Sequence, residues 1–194
     1  MKRKLFAAAA LCLVLLTGCS AVADFRVNRQ LDLGEKYLIE EEYDKAMLAY
    51  SKALDIEPKE MEAYRGLSDV FTAQKDLESS VNVLKKALAV ADDLSSSEKD
   101  ARTNTAIRGM NTKIVTQLTD LGDEAFKNED YSKAVKYYKD LIVYDEEEED
   151  SYLKLSGAYE AMGDLELALE VLKNAEIEAT KLAREIDRLS VRYE

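Results

Sequence analysis

Side chains able to do chemistry are few in this sequence. His is absent from its 194 residues, which excludes a Ser-His-Asp triad, a Cys-His pair and a His-ligated zinc site. Two thiols exist. Cys12 lies inside an apolar run near the N-terminus, and Cys19 stands just beyond that run, behind Thr17-Gly18. Carboxylates are plentiful, and a close pair could do acid–base work. In a helical chain where one residue in five is Asp or Glu, however, most such pairs are solvated faces. The run Asp145-Glu146-Glu147-Glu148-Glu149-Asp150 could bring oxygen ligands to calcium, but it lacks the spaced ligands and central Gly of an EF-hand loop. Its simpler reading is a solvated acidic turn that favours the start of the next helix; a docking patch for a basic partner is the other reading. No Gly-rich phosphate loop, HExxH or Ser-x-x-Lys element appears in a fitting context. No catalysis and no metal are therefore expected. With 27 basic residues against 39 acidic ones the net charge is −12, which also excludes nucleic acid, since phosphate binding needs clustered Lys and Arg.

The N-terminus reads as an address. Lys2, Arg3 and Lys4 precede an apolar stretch from Leu5 to Leu16, too short for a comfortable span but of signal h-region length. Leu16-Thr17-Gly18-Cys19 then resembles a lipobox, the processing signal of bacterial lipoproteins. The resemblance implies a diacylglyceryl thioether on Cys19 and cleavage between Gly18 and Cys19. Residues 1–18 would be the signal peptide, taking Cys12 with them, and 19–26 the lipidated Cys and a short tether. Two acyl chains hold a protein stably where one is marginal. Loss of the three leader cations would take the net charge to −15, so the lipid rather than the surface must hold the body at an anionic membrane. No other cofactor is implied. Ser20 follows Cys19 rather than Asp, so the inner-membrane retention signal of some diderm bacteria is missing. The expected location is the outer membrane of a diderm host or the outer face of the membrane of a monoderm one.

The elements that must position any site are helices. Beyond Asp24, Ala, Leu, Glu and Lys dominate and apolar residues recur three and four apart. A period of 34 residues relates Leu33-Gly34-x-x-Tyr37, Tyr43, Ala46, Tyr50, Ala53 and Pro58 to a second block running through Leu67-Ser68-x-x-Phe71, Leu77, Ser80, Leu84 and Ala87. Leu121-Gly122-x-x-Ala125 with Tyr131, Ala134 and Tyr138 opens a third block, and Leu155-Ser156-x-x-Tyr159 with Leu165, Ala168 and Leu172 a fourth. The pattern resembles the tetratricopeptide repeat. Departures are the missing opening Trp, a single closing Pro, and Ser80 in place of Ala. The resemblance implies an all-α, right-handed superhelical solenoid of antiparallel helix pairs, with repeats 1–2 at 27–94 and repeats 3–4 at 115–182. Gly34, Gly122, Ser68 and Ser156 fall mid-helix, where Gly costs about 1 kcal/mol, so a neighbouring helix should pass close by. Turns within pairs are expected at Glu42-Tyr43-Asp44, Lys75-Asp76, Asn128-Glu129-Asp130 and Gly163-Asp164.

Two places break the period. An insert at 95–114 opens on Ser95 and Glu98 at capping-box spacing, so one long helix is expected over about 98–127. At the C-terminus, Leu165, Ala168, Leu172, Ala175, Ala179, Leu182, Ile186 and Leu189 recur without a breaker. This predicts one helix of more than twenty residues that caps the repeats through 183–194. Its three heptads would also serve as a homodimer seam.

The resemblance further implies a groove lined by Asn28, Leu31, Glu35 and Leu38 of the first repeat and by Glu62, Arg65, Asp69 and Thr72 of the second. The third would add Thr116, Thr119, Asp123 and Phe126, and the fourth Leu153, Gly157 and Glu160. Acid outweighs base in this set, which suits a neutral or basic protein segment. Leu31 and Glu35 stand where a carboxylate clamp would need Lys and Asn. The expected role is a membrane-anchored adaptor in cell-envelope assembly or complex recruitment. A substrate-capturing lipoprotein for a transporter or hydrolase is the alternative.

Overall fold

The computed structural model describes residues 22–175 and 180–193. Gly18, Cys19 and the leader lie outside the described residues. Helix α1 covers 22–39. It is followed by α2 (Tyr43–Ile56), α3 (Met61–Ala73), α4 (Leu77–Asp92), α5 (Ala101–Lys127), α6 (Tyr131–Tyr144), α7 (Glu149–Met162), α8 (Leu165–Lys173) and α9 (Thr180–Tyr193). Among the described residues there is no strand, and the architecture is an all-α helical repeat. Two compact units divide the chain between Ile107 and Arg108.

Antiparallel pairing rests on one turn design used four times. In the turns after α1, α3, α5 and α7, the backbone N–H of Glu42, Asp76, Asp130 and Asp164 reaches back to the carbonyls of Tyr37, Phe71, Ala125 and Tyr159 at 2.8–2.9 Å. The residue just before each donor is left-handed: Glu41, Lys75 and Glu129 at φ 57°, 62° and 61°, and Gly163 at 89°. This is the Schellman closure, in which a left-handed residue satisfies carbonyls that the helix end leaves open. The donor then starts the next helix. Asp76 and Asp130 accept the N–H of Ser79 and Lys133 and so cap α4 and α6. The first turn is thus centred on Glu41, and Tyr43 and Asp44, expected within it, are helical.

In the first unit, Val27, Ala53 and Ala63 join α1, α2 and α3, while Ala46, Tyr50 and Val70 form a second cluster with Leu31, Tyr37 and Leu38 around it. Gly34 and Gly122 each face an aromatic ring, as the cost of a mid-helix Gly at these positions predicts. A Cβ on Gly34 would lie 2.6 Å from the Tyr50 ring, and one on Gly122 would lie 2.4 Å from Tyr138. The buried hydroxyls are paired as well: Ser68 with Ser80 at 2.8 Å, and Ser156 donating to the Ala168 carbonyl at 3.0 Å. Ser80, a departure from the repeat pattern, is accommodated because its partner is another hydroxyl.

The long helix expected over about 98–127 is present as α5, with a later start, and the C-terminus differs from expectation. Ser95–Glu98 does not begin a helix. The Ser95 hydroxyl, Ser95 N–H and Lys59 ammonium converge on the Glu98 carboxylate and lower its pKa to about 2, the hydroxyl contributing most. They close a separate turn, and α5 starts only at Ala101, where Asp100 accepts the N–H of Thr103 at 2.7 Å. The C-terminus is not one helix. α8 ends at Lys173 and α9 starts at Thr180. α9 lies beside α7 in parallel: the Leu182 N–H donates to Glu149 at 2.9 Å, Lys181 pairs with Asp150 at 2.8 Å, and Arg188 and Arg192 pair with Glu160. The physical reason is burial. Folding back leaves Leu182 and Leu189 only 2% and 0% exposed, which a helix continuing outward from α8 would not achieve.

Candidate functional site

A concavity of about 300 Å³ opens between α1 and α3 in the first unit. Helical spacing of three and four residues sets Asn28, Leu31, Glu35 and Leu38 on one face of α1, and Glu62, Arg65 and Asp69 on one face of α3. These seven predicted groove residues all line it. Thr72, expected with them, turns away: its hydroxyl donates to the Ser68 carbonyl at 2.8 Å and meets Ser80 at 3.1 Å. Four further lining residues escaped the sequence reading: Asp32, Ile39, Tyr50 and Arg102. Asp32 lies one residue from Leu31, so a broader stripe on α1 would have included it. Tyr50 reads as a core residue and Arg102 belongs to the insert, so neither carries a groove signal in sequence.

Charges here are unequal. Four carboxylates, Asp32, Glu35, Glu62 and Asp69, face two guanidinium groups. Arg65 is already engaged, its Nε 2.6 Å from Glu62 and its terminal nitrogen 3.2 Å from Asp69. Tyr50 is 5% exposed. Its ring is wedged beneath Gly34 and Gly66, where a Cβ would come within 2.6 and 2.3 Å. Burial, more than the neighbouring charges, pushes its hydroxyl up to about 12; Asp69 adds to the rise, Arg65 opposes it, and Glu35 and Glu62 add less.

Five of the seven predicted groove residues of the second unit are engaged internally. Thr116 and Thr119 donate to the carbonyls of their own helix, at Thr112 and Val115. Asp123 accepts the Tyr138 hydroxyl at 2.7 Å and the Lys154 ammonium at 2.5 and 2.8 Å. Phe126 stands edge-on to Tyr131, 5.3 Å between ring centres. Leu153 is half-buried, and a side chain added at Gly157 would meet nothing within 4 Å. Glu160 is held by Arg188 and Arg192, and the Arg188 guanidinium keeps its carboxyl below the usual range. The acidic run is partly consumed too: Asp145 accepts the Ser151 hydroxyl, and Glu149 and Asp150 hold α9. Among the described residues no three acids, thiols or imidazoles converge as a metal site.

Residues 119–182 match the family model of the tetratricopeptide repeat. No curated protein matches the chain. Solved structures similar to it include the MamA protein, at 20% identity over 87% of this chain and 96% of that one, with a TM-score of 0.36. A second is YrrB, described as a TPR protein with an unusual peptide-binding site (16% identity, 74% of this chain, 64% of that one, TM-score 0.38). A third is pilF of Pseudomonas aeruginosa (16% identity, 88% and 90%, TM-score 0.36). Over residues 119–182 the chain carries tetratricopeptide repeats.

Proposed function

We propose that the protein is a lipid-anchored adaptor that holds a protein partner at the cell envelope through the α1–α3 concavity and catalyses nothing itself. The observation that carries this reading is the lining of that concavity: two helix faces converge there, with carboxylates in excess of cations. A neutral or basic segment of a partner suits it, and assembly or recruitment in the envelope is the role that follows. Lipidation at Cys19 rests on the sequence pattern around it. No helix among the described residues is long and apolar enough to cross a membrane, so the reading gives membrane attachment to the lipid.

Fractionation tests the anchor. The wild-type chain should stay with membranes through a high-salt wash, and Cys19→Ala should move to the soluble fraction. A Cys19→Ala protein that remained membrane-bound would sink lipid anchoring. Site-specific crosslinking from positions 28, 35 and 62 in native membranes tests the concavity. A partner band should appear and weaken when Glu35, Glu62 and Asp69 are changed to Lys.

A further inference from the structure

The two units repeat one another at a spacing of 88 residues: Gly34, Glu35, Tyr50 and Ser68 recur as Gly122, Asp123, Tyr138 and Ser156. Other positions change, among them Arg65 to Leu153 and Asp69 to Gly157, and one change moves a cation. Gly66 stands where the second unit has Lys154. Lys154 places its ammonium 2.5 and 2.8 Å from the Asp123 carboxylate oxygens and 5.7 Å from the centre of the Tyr138 ring, while the Tyr138 hydroxyl donates to the same carboxylate. Carboxylate, tyrosine and ammonium are all present there.

In the first unit the carboxylate and the tyrosine are present without the ammonium. Glu35 and Asp32 have no ion-pair partner among the described residues. The Tyr50 hydroxyl, on a side chain 5% exposed that lines the cavity, has no hydrogen-bond partner among them either. Neither guanidinium of the concavity supplies the missing cation: Arg65, next in sequence to the glycine, is spent on Glu62 and Asp69, and Arg102 pairs with Glu60 at 3.9 Å. Gly66 itself bears no side chain to do so, and its bare backbone closes over the Tyr50 ring.

We propose that the α1–α3 concavity holds the ammonium group of a lysine side chain presented by a partner protein, in the place that Lys154 fills for the second unit. This rests on the reading of the concavity as a partner groove and names what the groove recognises. A primary ammonium fits the chemistry: it can donate to the Glu35 carboxylate and to the Tyr50 hydroxyl oxygen.

Solution NMR of the full chain in detergent tests it, with a short Gly/Ser/Ala peptide carrying one central lysine as the probe. The lysine peptide should shift the signals of Glu35, Tyr50 and Gly66. The same peptide with an acetylated lysine should not. Glu35→Gln should weaken the lysine peptide about tenfold, as loss of one charge-assisted contact does. Tyr50→Phe should weaken it about threefold without lowering the melting temperature, because the hydroxyl has no partner to lose. Equal shifts from the acetylated peptide would overturn the ammonium assignment while leaving the groove reading intact. Stronger binding of spermidine than of the peptide would assign the site to a free polyamine and overturn the inference. If no probe moved these signals, the inference would fail, and the crosslinks from positions 28, 35 and 62 would decide separately whether the groove holds a partner by other means.

Discussion

Gly34, Gly122 and Gly157 all stand inside helices, yet they should answer differently to the same methyl group. A Cβ on the first two meets Tyr50 or Tyr138 at 2.6 and 2.4 Å, and both rings are buried and cannot swing aside. Gly34→Ala and Gly122→Ala should each cost about 1–3 kcal/mol in chemical denaturation, as overpacking does. Gly157 has open space around it, so Gly157→Ala should gain up to about 1 kcal/mol of helix propensity. The left-handed residues invite the opposite exchange. Glu41, Lys75 and Glu129 hold a backbone conformation that Gly163 adopts freely. Glycine at any one of the three should raise stability by about 0.5–1 kcal/mol, and Gly163→Ala should lower it by about 1–2. Gly34 and Gly122 were legible in sequence through their place in the repeat, whereas Gly66, as tight against Tyr50, was not. The turn geometry was legible only in outline: three of the four closures use a residue no turn rule selects, because the backbone hydrogen bonds and the following acidic cap impose the conformation.

At the scale of the element, α9 is where pattern and structure part. Apolar residues three and four apart run through the α8–α9 junction, and neither Gly nor Pro marks a stop. Periodicity reports which face is apolar but not which surface that face will cover. Here the face covers α7 and α8, and that single choice also decides the second unit's predicted groove. Arg188 and Arg192 lie one turn apart on α9 and reach Glu160 only because the helix folds back. Glu160 therefore ties the fold to pH. Its carboxyl is held below the ordinary value of 4.5, first by Arg188. A depressed carboxyl stabilises the folded chain above its unfolded pKa and loses that contribution as pH falls through the folded one. The melting temperature should thus fall between pH 6 and pH 3 by more in the wild type than in Glu160→Gln. Equal losses in the two proteins would remove Glu160 from this role.

For the whole molecule, the repeat class and its phase were readable from the sequence because the spacing of small and aromatic residues is a packing requirement. The difference between the units was not readable, because it depends on which charges meet. Lys154 can be viewed as a ligand the chain carries for itself. A group tethered one helix away competes at an effective concentration of the order of millimolar or above, which a weak free segment cannot match. The second unit would then be saturated from the moment it folds, and a molecule built on a two-site plan would present one vacancy. Lysine-peptide titrations should accordingly reach one equivalent per chain. Lys154→Ala should raise the count to two, the added site reporting through Tyr138 rather than Tyr50.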